Sequence, residues 1–597
     1  INISPGYYLV EWTKTGYVPW ELGGLVLTAN TVLDDVDMIP GSVSEVSGTI
    51  NTTTWTTSYV YYVTDDITIP SGQTLTINAG VRVKFSSGKG MTVNGTLIAN
   101  GTASSRIIFT SRESVPAPGD WGRIYMYGTN NQLSYFDYLY AANSLRSDGS
   151  DAVTNTTIDN GYFANLGSDA YGIYLNEGGG ETITNNNITI NSSNYGIHIY
   201  SNEDGGGTTV TGNTITGESG IYVWGSTGSE ISNNTIVAAF IGIYTDNNDS
   251  IKIVQNNITG QIREYGIYVE DGGIGGNDYN WYNVRITDNY IRRTDFDFSC
   301  CPSTYGIRKT NGNYGTLIKG NTVIYNDSTS TDNFVDNFYG IYAERSTIDS
   351  NYVEIHTAPR RCGDIYGIRG YASDITKNTL KMVAYEQDCW WNSYVIRSHA
   401  WGGDNDNKIQ NNIIDVRSKG NFYFHSMIYT DDNGEIDISN NTITADGESI
   451  SQVLSLHNNE YNFHNNNVTI SGNYNDRAIT LGGGGATGNI YSNTFIMPAS
   501  NSHYFLESGS NGTTVNFYKN TVSLKDQKGL YFENNSGSIY NNTLVSTNGD
   551  YGLYMANSDM AVKNNNLVGF TASIYNENTT MNFNIAHNNT WDTSAPY

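Results

Sequence analysis

Basic residues are scarce in this chain: 31 Lys and Arg stand against 58 Asp and Glu in 597 residues, for a formal net charge of -27 and a pI near 4.5. Nucleic-acid backbones are held by clustered Lys and Arg, so that class of partner is excluded. Charge of either sign is thin, at 15% of residues. There is no run of about eighteen apolar residues to read as a membrane-spanning helix. No stretch sustains helical periodicity, which leaves an all-β chain. No signal peptide heads the sequence, which fits a processed or internal segment. Cysteine is nearly absent, with four. What remains is rich in Asn, Thr, Ser, Gly and Tyr, a composition suited to an extracellular, cell-surface location.

One phrase recurs every 20 to 35 residues from about 183 to 567: aliphatic, two small or polar residues, Asn, any residue, aliphatic. Its asparagines are Asn186, Asn213, Asn234, Asn256, Asn289, Asn321, Asn351 and Asn378. The series continues through Asn412, Asn441, Asn466, Asn493, Asn520, Asn542 and Asn565. A second phrase runs in step with it, as Tyr171-Gly172-Ile173-Tyr174, Tyr195-Gly196-Ile197-His198, Tyr305-Gly306-Ile307-Arg308 and Tyr366-Gly367-Ile368-Arg369. A repeat this short is one supersecondary unit, which cannot bury its own apolar face and must stack on its neighbours. Two short β-rich segments per repeat, bounded by Asn, Gly, Asp or Ser, predict strands joined by tight turns. Repeat on repeat at the strand spacing of about 4.8 Å makes a right-handed, single-stranded parallel β-helix of roughly 18–20 coils. The recurring Asn is expected at a coil corner, in the left-handed conformation that Asn tolerates, with its amide bonded to the Asn one coil away. The aliphatics three before and two after it are expected to form the core.

Here the chain resembles secreted and cell-surface proteins with parallel β-helix repeats, the pectin-lyase-like fold. Ile67-Thr68-Ile69-Pro70-Ser71-Gly72-Gln73-Thr74-Leu75-Thr76-Ile77 and Met91-Thr92-Val93-Asn94-Gly95-Thr96-Leu97 are typical of its opening coils, and the resemblance covers roughly residues 45 to 591. It implies a fold more than a function, because lyases, hydrolases, adhesins, tailspikes and surface-layer components share it. Residues 1–43 differ. Gly6-Tyr7-Tyr8-Leu9-Val10-Glu11-Trp12 and Leu25-Val26-Leu27 resemble the last strands of a carboxypeptidase-regulatory-like β-sandwich. The β-helix is then expected over 44–597, as a segment of a longer polypeptide whose open coil ends need covering.

From about 270 to 430 the repeats stretch to between 27 and 40 residues, and long loops of repeat proteins gather into a binding surface. This region holds all the cysteines and Trp281, Trp390, Trp391 and Trp401. Cys362 and Cys389 fall at equivalent places on successive coils, within disulfide range, and a bridge between them is expected. Cys300 and Cys301 then form a vicinal bridge, or both pairs cross between coils. Cys-Cys without His at ligand spacing makes a metal site the weaker reading. Asp295, Asp297, Asp364, Glu386 and Asp388, with Arg308, Arg369 and Arg397, are the residue types of lyase or hydrolase sites. Against catalysis, no hydrolase phrase appears, Asp431-Asp432 lacks a supporting His, and Arg369 and Arg397 need acidic company. An outward stripe of Tyr174, Tyr222, Tyr244, Tyr268 and Tyr342 offers area for sugar stacking or subunit contacts, or simply stabilises its sheet.

Sequons mark glycosylation candidates at Asn51, Asn94, Asn155, Asn187, Asn191, Asn233, Asn248 and Asn257. Others follow at Asn326, Asn440, Asn467, Asn511, Asn534, Asn541, Asn578 and Asn588. Asn326 and Asn511, outside the corner phrase, are the favoured ones. No cofactor is implied; an acidic surface invites Ca²⁺, yet no DxDxDG-type loop assigns it a site. Three functions follow. The first is a structural subunit of a surface layer, sheath or filament that self-associates or contacts other surface proteins. The second is a glycan-binding adhesin or tailspike-like module, and the third a polysaccharide lyase or glycoside hydrolase.

Overall fold

A computed structural model describes residues 6–12, 20–27 and 42–591, apart from 202–206, 226, 248–249, 271–282, 295–302, 311–314, 327–336, 358–363, 386–392, 400–406, 420–424, 448–451, 473–476, 483–484, 500–502, 510–511 and 578–583. Among the described residues there are strands and no helix. The chain divides into two compact units, Ile1–Gly260 with Val269–Gly276, and Gln261–Tyr268 with Asn277–Tyr597.

Both units are parallel β-helix. Many coils contribute three strands, one more than the repeat phrases indicate, as Thr182–Thr184, Asn187–Thr189 and Tyr195–Ser201 do, and in others the second and third run on as one, as in Thr214–Trp224. The missed strand is the second. It begins directly after the ladder Asn, so sequence merges it with the corner. Each strand pairs in parallel with its counterpart one coil on, right-handed as parallel crossovers are. Thus Ile183 meets Val210, Val210 meets Ile231, and Ile231 meets Ile253. In the second unit Ile286, Ile318 and Ile348 stack in the same way. All of these are fully buried, which is the core the repeat phrase predicts. Residues 6–12 and 20–27 pair antiparallel in a two-stranded sheet of their own.

The asparagine ladder is present, with one correction. In the first unit Nδ2 of Asn186, Asn213 and Asn234 each donates to Oδ1 of the next rung, at 2.9, 3.0 and 2.9 Å. In the second unit the same bond links Asn289 to Asn321, Asn321 to Asn351, and so on through Asn542 to Asn565. The left-handed residue, however, is the one before each rung: Asn185, Asn233, Asn411, Asn440 and Asn541 all have φ between 55° and 59°. Where that residue is not Asn it is Gly212 or Gly320, and elsewhere Gln255, Asp288, Ser350, Lys377, Ser492 or Lys519, all with positive φ. The rung itself is buried and spends its amide on the ladder. The corner in front of it faces solvent and carries the conformational demand.

The glycine of the Tyr-Gly-Ile phrase is a packing residue. A Cβ on Gly340 would lie 2.5 Å from both the Gly367 carbonyl oxygen and Cγ1 of Val353. Third-strand backbone therefore lies against core side chains of the second strand, with the isoleucine after the glycine in the core and the residue after that on the outer face.

Candidate functional site

On the outer face of the third-strand sheet in the second unit, three columns of polar and aromatic side chains run across successive coils. The first stacks Tyr305, Tyr339, Tyr366 and Tyr394 at centroid distances of 4.6, 4.6 and 5.5 Å, with interplanar angles of 9°, 2° and 21°. The second, three residues on, places Arg308, Tyr342, Arg369, Arg397 and Tyr429 in register. The third, two further on, aligns Glu344, Tyr371, His399 and Asp431. Period-2 alternation puts the second and third columns on the face opposite the core isoleucines.

The arginines are held by phenols. Arg308 lies 4.8–5.8 Å from the ring centres of Tyr265, Tyr268, Tyr305 and Tyr342, and its Nη1 donates to Tyr265 Oη at 2.7 Å. Arg369 lies 5.1–5.9 Å from Tyr339, Tyr342, Tyr366 and Tyr371, and donates to the hydroxyls of Tyr339 and Tyr371. Such cages stabilise a cation through the negative ring faces. Neither guanidinium has a carboxylate within ion-pair distance among the described residues, and the Nε of each is buried without a partner. Arg397 differs: its Nη2 donates to Asp431 Oδ2 at 3.2 Å, and Asp431 Oδ1 lies 2.7 Å from His399 Nδ1. The expectation that both Arg369 and Arg397 pair with acids therefore holds only for Arg397. The missing His of Asp431 is also found, 32 positions upstream on the preceding coil. Coil register was the available signal, since both residues sit two places beyond the Arg397 and Tyr429 column.

Burial lifts the phenols, and Tyr394 is pushed up to about 12, with Arg397 opposing the rise. Tyr342 and Tyr366 are raised further, by burial and then by their carboxylate neighbours Glu344 and Asp364. These phenols stay protonated at neutral pH and act as hydrogen-bonding groups, not bases.

The predicted Tyr174, Tyr222 and Tyr244 do align in the first unit, joined by His198. Their rings stack on one another, with Tyr174 to His198 at 4.8 Å and His198 to Tyr222 at 4.6 Å, so they present edges more than faces. A ladder of His464, Tyr491, Tyr518 and Tyr540 in the second unit is similar, at 4.6, 4.8 and 4.7 Å and within 7° of coplanar. Tyr268 is buried, with its hydroxyl 3.1 Å from Thr310 Oγ1, and is not an exposed stripe residue. Trp281, Trp390, Trp391 and Trp401, the four cysteines, and Asp295, Asp297, Glu386 and Asp388 lie outside the described residues. So do the sequons at Asn248, Asn511 and Asn578.

The sequons sort by corner geometry. Asn233, Asn440 and Asn541 occupy the exposed left-handed corner position. Asn51, Asn94, Asn155, Asn191, Asn257, Asn467 and Asn534 are exposed too, and Asn187 is half-buried. Asn588 is instead a further ladder rung, accepting from Asn565 Nδ2 at 2.9 Å, and the Oδ1 of the favoured Asn326 is buried.

Two family models match the chain. The family described as "Right handed beta helix region" matches residues 143–323, and that described as "Pectate-lyase like beta helix domain" matches residues 48–135. Among solved structures, an alginate lyase from Paenibacillus sp. str. FPU-7 aligns over 63% of this chain and 94% of its own, at 12% identity and a TM-score of 0.11. No curated protein matches the chain. The chain carries a pectin-lyase-like, right-handed parallel β-helix.

Proposed function

We propose that this is an extracellular protein that binds an acidic polysaccharide along the Arg–Tyr face of its second unit. The observation that carries the reading is the pair of caged guanidiniums, Arg308 and Arg369. In a chain of net charge -27, two half-buried cations are ringed by neutral phenols, and among the described residues neither has a carboxylate within ion-pair distance, Glu264 acting on Arg308 only from farther off. Removing a guanidinium from water costs free energy that ring faces offset only in part. A ligand carboxylate or sulfate would complete the pairing with the planar geometry Arg favours. Tyrosine hydroxyls along the same columns would serve sugar hydroxyls, and successive coils would take successive sugars.

The raised phenols favour binding over turnover, since none is a base at neutral pH. The imidazoles on this face are His399, held by Asp431, and His457, in register with Asp431 one coil on, with His425 beside Tyr394. The role of surface-layer, sheath or filament subunit rests on the coil architecture alone, which enzymes and binding proteins share.

The test is a titration of uronate, sulfated and neutral oligosaccharides against the wild type, Arg369→Ala and Arg369→Lys. Acidic chains are expected to bind, and R369A to weaken them at least about tenfold, as loss of a charge-assisted bidentate contact implies. Lysine is expected to restore little. Equal affinity for neutral chains, or no effect of R369A, would sink the proposal. Release of unsaturated product would recast the face as a lyase site.

A further inference from the structure

Further along the same third-strand sheet, within the second unit, the Arg column gives way to tyrosine. Tyr531, Tyr554 and Tyr575 occupy in register the place held earlier by Arg308, Arg369 and Arg397. Tyr504 and Tyr551 flank them from the column three residues upstream. The rings are close: Tyr504 to Tyr531 is 4.9 Å, Tyr531 to Tyr554 5.3 Å, Tyr554 to Tyr575 5.0 Å, and Tyr551 lies 5.3 Å from both Tyr554 and Tyr575. The Tyr531–Tyr554 pair stacks at 26°, but the other four angles run from 31° to 84°, unlike the coplanar Tyr491–Tyr518–Tyr540 ladder, so much of the ring-face area is left open. Tyr575 is 41% exposed and the others are half-buried.

Two carboxylates complete the cluster. Tyr531 Oη donates to Glu533 Oε2 at 3.0 Å, and Tyr554 Oη donates to Glu577 Oε2 at 2.9 Å. Among the described residues neither glutamate has a Lys or Arg partner. The other acids nearby are already paired, Glu507 with Arg477 and Asp550 with Lys528 at 3.9 Å. Among the described residues the cation over a ring of this patch is Lys528, 5.3 Å from the centre of Tyr504 at its edge, and no Lys or Arg lies over Tyr531, Tyr551, Tyr554 or Tyr575.

The contrast with the earlier coils decides the reading. Where the column residue is Arg, the protein fills its tyrosine cage with its own guanidinium. In these coils the tyrosines and the acids are present, and among the described residues the only cation over a ring is Lys528 at the edge, with none in the column place that Arg fills earlier. We infer that Tyr531, Tyr551, Tyr554 and Tyr575, with Glu533 and Glu577, form a second binding site, whose ligand carries an organic ammonium group. Ring faces attract such a group electrostatically, and carboxylates at the rim add charge complementarity. A hydroxylated anion, the ligand type of the Arg face, is repelled by Glu533 and Glu577. The two sites are therefore opposite in charge preference and independent of each other.

The experiment is a titration of the full chain with tetramethylammonium, read by intrinsic tyrosine fluorescence, beside tert-butanol as its neutral counterpart of similar shape. Tetramethylammonium is expected to saturate and tert-butanol not to. Tyr575→Leu and Glu577→Gln should each weaken binding about three- to tenfold, in keeping with one ring or one partly screened charge. Tyr575→Phe keeps the ring and should retain the affinity. Lys528→Gln removes the competing cation and should tighten binding. Choline and a protonated glucosamine oligomer are two further arms, and preference between them tells a free solute from an amino-sugar chain. Equal response to tert-butanol, or unchanged affinity in both Tyr575→Leu and Glu577→Gln with native circular dichroism, would overturn the assignment.

Discussion

Asn412→Ala tests whether the ladder is held by its amides or only fills space. Asn412 is fully buried, and its Nδ2 donates to Asn441 Oδ1 at 3.0 Å and to the Ile375 carbonyl at 2.9 Å. Its Oδ1 accepts from the backbone N–H and the Nδ2 of Asn378, at 2.9 and 3.1 Å. Asn441 Oδ1 keeps a bond from the Asn412 backbone N–H, at 2.9 Å, after the side chain is gone. The groups left unpaired are then the Asn378 N–H and one Asn378 Nδ2–H, since the Ile375 carbonyl keeps its place in the strand pairing with Ile409 and Gln410. At about 1 kcal/mol or more for each orphaned buried group, the expected loss is about 2 kcal/mol. One water entering the vacated polar space would keep the cost at that lower end. The assay is chemical denaturation paired with hydrogen exchange at the Asn378 amide, whose protection should fall with the substitution. The control is Asn411→Gly, one residue earlier. That position is exposed at φ 58°, and glycine there is expected to change stability by under about 0.5 kcal/mol. If N412A costs no more than N411G, and the Asn378 amide stays protected, the ladder contributes shape and not hydrogen bonding.

Three further outcomes follow from the geometry. Gly340→Ala should destabilise by about 1–3 kcal/mol, because its Cβ meets Val353 and a neighbouring carbonyl; a thermal melt matching the wild type would contradict this. Glu354 is pushed down to about 2: burial alone would raise it, but hydrogen bonds from Tyr352, His356 and Lys381 outweigh burial. Its folded pKa lies below its unfolded one, so its contribution is complete above about pH 4.5 and is lost as pH falls toward 2. Glu354→Gln should therefore flatten stability against pH in that window, checked by denaturation at stepped pH. When the chain is expressed in a host that N-glycosylates, Asn233, Asn440 and Asn541 should carry sugar, and Asn588 and Asn326 little or none. Glycopeptide mass spectrometry showing the reverse would contradict the corner geometry.

Much of the fold was legible because β-helix periodicity is written directly into sequence: an inward aliphatic must recur once per strand per coil. Ile183, Val210 and Ile231 announced both the coil length and the register. The second strand was harder to see, since it starts at the rung with no turn residue to separate it. The left-handed corner was assigned one residue late for a related reason. Asn-Asn pairs such as Asn233-Asn234 and Asn440-Asn441 hide which of the two bends and which bonds. Of the candidate face, Arg369 and Arg397 were visible as an outward pair. Their partners were not, because tyrosine cages and the His399–Asp431 contact join residues about 30 positions apart that only coil register brings together. The Tyr-Gly-Ile phrases, such as Tyr366-Gly367-Ile368-Arg369, revealed the third strand. They did not reveal that at Tyr531 and Tyr554 tyrosine replaces that arginine.

Every rung of the asparagine ladder donates in the same sense, from each coil to the one after it. A row of amides polarised alike behaves as a wire of aligned dipoles, in which each bond strengthens the next. The rungs of the second unit are then unequal despite identical local geometry. Asn412, with many rungs on either side, sits where the mutual polarisation is greatest, and Asn565, near the end of the row, sits where it fades. Infrared amide bands of the ladder should therefore shift collectively when one central rung is removed, and hardly at all when an outer one is.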